Sequence, residues 1–226
     1  MSGSNPIPRR RALALLGAGT FVSTALRSAR AAGDKDDAKP KVLFFSKSSG
    51  YEHDVVKRKG EGPSLSEATL TAIGRTNGFD VIATKDGRFF DGDLAQYDAF
   101  FFFTTGNLTE AGTDGNPPMT ERGKEALLEA ILDGKGCLGV HSASDTFHSQ
   151  GGRFQTQNQP DPYIAMLGGE FLGHGSQQEA LVKVADAKFP GLQGLHENFT
   201  GRAEAQLSEN LSEMTPHTWV LPPEHD

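Results

Sequence analysis

Cysteine is almost missing from this chain. Cys137 alone occurs in 226 residues, so no internal disulfide holds the fold. It lies inside the apolar run Gly136-Cys137-Leu138-Gly139-Val140, where it reads as a small buried hydrophobe and not a reactive thiol. A thiol-dependent amidotransferase or protease is thereby set aside. Basic residues are also in short supply, 22 Lys and Arg against 29 Asp and Glu, for a net charge of −7. An acidic surface repels phosphate backbones and anionic membranes, which argues against nucleic acid as a partner. Long apolar runs are absent too. The uncharged stretch Ala12 to Leu26 is interrupted by Gly17, Gly19, Thr20, Ser23 and Thr24, and is too short and too polar to cross ~30 Å of hydrocarbon. No internal repeat, low-complexity tract, Walker A loop, dinucleotide-binding glycine pattern or H-E-x-x-H segment occurs.

Acid is missing from residues 1–32, which carry five arginines. Arg9, Arg10 and Arg11 precede the uncharged stretch, and Ala29-Arg30-Ala31 offers a small-x-small cleavage site. This order predicts an export signal of the twin-arginine type, a periplasmic or extracellular destination, and no stable membrane span after cleavage. Cleavage would leave Ala32 or Gly33 at the new terminus and, without the five arginines, shift the net charge from −7 to −12 (−7 − 5). Residues 33–40 are charged and end in Pro40, a solvated linker. About 190 residues then remain, enough for one well-cored domain.

Within that domain, Lys41 to Ser46 is a compact apolar run and predicts a first strand. Ser64-Leu65-Ser66-Glu67 has the spacing of a capping box, and opens a helix expected to bury Leu65, Ala68, Ala72 and Ile73 before stopping near Gly78. Phe79 to Thr84 reads as strand two, and Ala99 to Thr105, with four consecutive phenylalanines, as a fully buried strand three. Thr120 should cap a second helix with Leu127, Leu128, Ile131 and Leu132 inward, ending at Gly134; Cys137 to Val140 follows as strand four. Apolar, non-alternating strands separated by helices indicate an α/β fold with a doubly wound, mostly parallel sheet covered on both faces, flavodoxin-like in chain order.

Ligands of such sheets bind at the carboxyl edge of the strands, and polar residues collect there. After strand one come Ser46, Lys47, Ser49, Tyr51, Glu52, His53 and Asp54. After strand three come Thr104, Thr105, Gly106 and Asn107. After strand four, Gly139-x-His141-x-Ala143 has the shape of a nucleophile elbow with His141 at the position of the nucleophile, followed by Ser142, Ser144, Asp145, Thr146 and His148. His174 lies further on, between Gly173 and Gly175. His148, past the turn, reads as a surface residue, and Asp145 either caps the segment after the turn or orients His141.

Three of these segments resemble the ThuA-like (trehalose utilisation) family: Lys41-Val42-Leu43 with Gly50-Tyr51-x-His53; Gly139-Val140-His141-Ser142-Ala143-Ser144-Asp145-Thr146; and Leu167-Gly168-Gly169-x-Phe171-x-Gly173-His174. The similarity spans residues 41–200. It implies a class I glutamine amidotransferase-like fold and a role in carbohydrate metabolism, with trehalose-type or oxidised (keto) disaccharides as substrate class. Where amidotransferases of that fold carry a cysteine nucleophile, this chain carries His141, which argues against glutaminase activity. Beyond Phe189-Pro190-Gly191 the family pattern fades. Residues 201–226 read as a polar, poorly packed tail, with Thr218 to Leu221 its only strand-like stretch.

The residues leave two chemistries open. His53, His141 and His174, with Asp145 or Glu52, suit a divalent metal such as Zn²⁺. Alternatively, His141, His53 and Asp145 serve as general acid and base on a sugar, because histidine titrates near neutral pH. Tyr51, Thr105, Ser142, Ser144 and His174 are candidate sugar contacts, and Tyr51 and Tyr163 could equally be packing residues. A non-catalytic sugar-binding or partner-binding module on the same scaffold is the competing class; graded affinity loss without turnover would mark it.

Overall fold

A computed structural model describes residues 38–151, 159–188, 194 and 196–210, the last nine as backbone. Residues 1–32, read as an export signal, and residues 33–37 of the expected linker lie outside the described residues, as does the strand-like stretch at Thr218 to Leu221.

Four short parallel strands form the sheet: β1 (Lys41–Phe45), β2 (Asp80–Thr84), β3 (Ala99–Phe102) and β4 (Gly136–Gly139). Their order is β2-β1-β3-β4, the flavodoxin-like arrangement expected from the sequence. Register pairs Leu43 with Phe100 and Phe45 with Phe102. These four side chains enter one apolar cluster with Phe90, Leu108, Met119, Leu127, Phe147 and Tyr163. Within it Phe45 meets Phe90 and Phe102 edge-on, at centroid distances of 4.9 and 5.7 Å, a favoured geometry for buried rings.

Helix α1 (Leu65–Asn77) begins with the expected capping box. The Ser64 hydroxyl accepts from the Glu67 amide, and the Glu67 carboxylate accepts from the Ser64 amide. Its inward face differs from the expectation. Glu67, Leu70 and Gly74 are buried, whereas Leu65, Ala68, Ala72 and Ile73 are exposed. Two contacts set this rotation. Glu67 is held by Arg58 at 2.7 Å, and Gly74 lies so close to the next segment that a Cβ there would meet the Phe79 carbonyl oxygen at 2.7 Å. A hydrophobicity pattern does not register an anchoring carboxylate or a glycine contact.

Helix α2 (Glu121–Leu132) starts at Thr120, whose hydroxyl accepts from the Gly123 amide. Leu127 is buried, while Leu132 in the last turn is 85% exposed. Strand β4 also departs from expectation. It is the sheet's edge, all four of its residues are exposed, and Leu138 is 54% accessible. Cys137 is accordingly exposed and not a core residue, although its surroundings desolvate the sulfur enough to push the thiol's pKa up.

Beyond the sheet, α3 (Pro162–Leu167) is capped by Asp161 and ends at Gly168 in a left-handed conformation. A long antiparallel pair follows, β5 (Gly169–Lys183) with β6 (Asn198–Asn210). Residues 201–210 thus form a strand where the sequence reading expected a loose tail. Arg202, Glu204, Gln206 and Ser208 alternate with Ala203, Ala205 and Leu207, the period-two pattern of an antiparallel strand. Among the described residues no helix is long and apolar enough to cross a membrane.

Candidate functional site at the carboxyl edge

The chain leaves β1 through Ser46, Lys47 and Ser48, all essentially buried. Two buried lysines meet here over one carboxylate. Lys85 donates to the Ser46 carbonyl oxygen at 3.0 Å, to Asp114 Oδ2 at 3.3 Å and to Glu52 Oε1 at 3.2 Å. Lys47 donates to the Asn116 carbonyl oxygen at 2.8 Å and lies 3.8 Å from Asp114 Oδ1. Desolvation, aided by the like charge of Lys85 and opposed by Asp114, holds Lys47 below the usual lysine range. Desolvation works against the Asp114 carboxylate, but hydrogen bonds from the Ser48 and Asn116 amides and the charge of Lys85 outweigh it and keep its pKa low. The network fixes the start of the loop carrying Tyr51, Glu52 and His53. Lys85 and Asp114 were missed in the sequence because they come from other segments and match no motif.

The same loop is fastened to the turn after β3. The Ser49 and Gly50 amides both donate to the Thr105 carbonyl oxygen, at 2.8 and 3.1 Å, and the Thr105 hydroxyl donates to the Tyr51 carbonyl oxygen at 2.8 Å. Thr105, read as a sugar contact, is 2% exposed, and its hydroxyl serves this internal bond. Gly106 must be glycine. Its φ is +74°, and a Cβ would meet the Gly50 nitrogen at 2.4 Å.

At the end of β4 the chain turns sharply through His141–Ser144. His141 has φ of +51°, one of two non-glycine residues with positive φ among those described. Such a conformation is uncommon outside glycine and concentrates at functional positions. Gly139 permits the tight turn, since a Cβ there would lie 2.8 Å from the Ala143 Cβ. The Val140 amide donates to the Phe102 carbonyl oxygen, and the buried Tyr163 hydroxyl donates to the Ala143 carbonyl oxygen at 3.1 Å. Tyr163 is therefore a packing residue, with burial pushing its hydroxyl pKa up.

These loops bring His53 and His141 together, ring centroids 4.5 Å apart at 68°. Phe103 stands against both, at 6.0 and 5.7 Å. Tyr51, 71% exposed, lies edge-on to His53 at 4.9 Å. Phe103 was missed in the sequence because it closes a run of four phenylalanines that reads as strand interior; β3 ends at Phe102. Ser142 is buried beside His141, its hydroxyl without a hydrogen-bond partner among the described residues, and Ser144 is half-buried in the same turn.

His174 does not join them in a metal site. It sits on β5, exposed, its ring stacked near Phe171 and its Nδ1 3.0 Å from the Gly175 carbonyl oxygen. Among the described residues no three His, Cys, Asp or Glu side chains are arranged to hold a metal ion. His53, His141 and His174 are thus not grouped as three ligands among the described residues.

His148, read as a surface residue, is instead clamped. Its Nε2 lies 3.0 Å from Asp145 Oδ1 and its Nδ1 2.9 Å from Glu170 Oε1. The hydrogen bond to Asp145, with a second to Glu170, outweighs desolvation and raises the imidazole's pKa above its ordinary value. The elbow is thereby pinned to the first residues of β5. Glu170 is also 3.2 Å from the Ser149 amide, which donates to it. Its partner lies more than twenty positions upstream, so local spacing carries no sign of the pair.

Two solved structures are similar to this chain. One, from Bacteroides uniformis, is a ThuA-like protein 18% identical, with a TM-score of 0.53, and the alignment covers 78% of this chain and 64% of that one. The other, a ThuA-like protein from Parabacteroides merdae, is 16% identical with a TM-score of 0.41, covering 76% and 63%. This chain thus spans less than two thirds of the length of either, and the first likeness supports the fold. No curated protein matched the sequence. A sequence model of the family described as ThuA, trehalose utilisation, matches residues 41–217, which takes in the β1 loop, the His141 elbow and β5. The chain belongs to the ThuA family.

Proposed function

We propose that this protein acts on a neutral carbohydrate at the edge formed by His53 and His141, with trehalose-type or oxidised disaccharides as the substrate class. One observation carries the reading: two imidazoles 4.5 Å apart at the carboxyl edge of the sheet, one of them on a positive-φ elbow. Neutral imidazole donates through one ring nitrogen and accepts through the other. Two adjacent rings can therefore take a proton from one hydroxyl and return it to another oxygen. The exposed Tyr51 offers a flat face to the apolar side of a pyranose, and the family's description, trehalose utilisation, points to the same ligand class. Phe103, half-buried against both rings, gives the pair an apolar backing.

The test is product analysis with trehalose and its keto derivatives, beside calorimetric binding, for the wild type, His141→Ala and His53→Ala. Acid–base catalysis predicts a loss of ~10²–10⁴-fold in rate for either variant, with affinity nearly kept. Unchanged turnover would refute the assignment. Binding without turnover in the wild type would identify a binding module.

A further inference from the structure

A cavity of about 410 Å³ opens beside the elbow, between the β3 loop, the start of α2 and the residues leading into α3. We infer that it receives a second sugar ring, so that the ligand is a neutral saccharide of at least two rings reaching from the histidine edge into this cavity. The inference rests on the proposed carbohydrate reading and adds a place and a length to the ligand.

The chemistry of the walls selects the ligand. Two cations border the cavity, and each already has its own carboxylate. Lys124 is paired with Asp161, and His148 with Asp145 and Glu170. No cationic excess is left for a phosphate, which excludes an anion as the favoured occupant. What remains is hydrogen-bonding capacity of both signs. Gln150 and Gln159 contribute amides, and the Glu121 carboxylate is an acceptor. The Phe147 ring, capped by the Lys124 ammonium 4.3 Å from its centroid, and Pro162 give the wall an apolar component. Many polar groups beside a small apolar surface match a pyranose, which presents hydroxyls at its rim and C–H groups on its faces. The volume is near the lower end of small-molecule sites, about 300–1,000 Å³, and so fits a small group.

Both places are built from the same two loops. Thr105, bonded to the Tyr51 carbonyl oxygen, precedes Asn107 of the cavity wall by two residues. Asp145, at the end of the His141 elbow, accepts through its carbonyl oxygen from the Gly106 amide and holds His148 of the wall. The two places are therefore joined by shared, hydrogen-bonded loops.

The experiment uses the full chain, isotope-labelled, titrated with trehalose, with glucose and with inorganic phosphate. The signals followed are the side-chain amides of Gln150 and Gln159 and the ring protons of His53 and His141. Trehalose is expected to shift both sets and to bind about tenfold more tightly than glucose, the scale of one or two added hydrogen bonds. The double variant Glu121→Ala with Gln150→Ala should lower trehalose affinity about tenfold, leave glucose affinity unchanged and keep the wild-type Tm. Shifts confined to the histidines, or equal affinity for the two sugars, would overturn the second-ring inference while leaving the carbohydrate reading intact. Shifts confined to the cavity amides would keep the cavity as a sugar site and remove His53 and His141 from it. Phosphate displacing trehalose from the amides would overturn the neutral-ligand assignment, and no shift with either sugar would refute both readings.

Discussion

Replacing His141 in two ways separates its ring from its backbone. His141→Ala and His141→Gly both delete the imidazole and its contacts with His53 and Phe103, so those losses cancel between the variants. They differ in how each tolerates φ of +51°. A residue with a Cβ pays about 1–2 kcal/mol to sit in the left-handed region. Glycine does not, but it loses about 0.5–1 kcal/mol through the greater freedom of its unfolded chain. The difference leaves His141→Gly more stable than His141→Ala by about 0.5–1 kcal/mol. For a domain of this size that is a Tm about 2–3 °C higher. Urea denaturation of both variants, with m compared to exclude a change in cooperativity, measures the gap. If Ala proves as stable as Gly or more so, the elbow is not strained in the folded protein and the reasoning fails. Turnover, by contrast, should be lost equally in both.

Three further outcomes follow from the geometry. His148, with its pKa raised in the fold, contributes stability that is fully present below its unfolded value near 6.5 and lost as pH rises through the folded one; an NMR titration should place its midpoint above the ordinary range, and His148→Ala should flatten stability in that window. Lys85→Met removes the cation shared by Ser46, Glu52 and Asp114 and should cost about 3 kcal/mol by leaving buried carboxylate charge undercompensated, with changed ring resonances at Tyr51 and His53; unchanged resonances would show that the network does not position the loop. The twin-arginine reading of residues 1–32 predicts an exported form starting at Ala32 or Gly33, and N-terminal sequencing that finds only the uncut chain inside the cell would refute it.

The sheet was legible in the sequence because β1 and β3 are short apolar runs and because Ser64, Thr120 and Gly78 mark helix ends with local chemistry. Positions that depend on what lies across space were not. Cys137 and Leu138 are as apolar as a core strand, and only the sheet order reveals that they form its edge. The α1 face differs from its apolar pattern because Glu67 and Gly74, neither of them apolar, are buried beside Leu70. At the site, the elbow could be foreseen from the small residues around His141, and its nearness to His53 from the shared carboxyl edge. The clamp on His148 could not, because Glu170 arrives from β5. That His174 lies in a long ribbon strand was likewise not legible, because the strand pairs with residues 198–210 far along the chain.

The exposure of Cys137 has a chemical consequence. In an oxidising medium a lone accessible sulfur invites cross-linking between two molecules through thiol–disulfide exchange. The attacking species is the thiolate, and desolvation of this sulfur keeps the thiolate fraction at neutral pH below that of a freely hydrated cysteine. Partial desolvation thus slows exchange at this accessible sulfur, and mixed-disulfide formation should accelerate as alkaline pH raises the thiolate fraction.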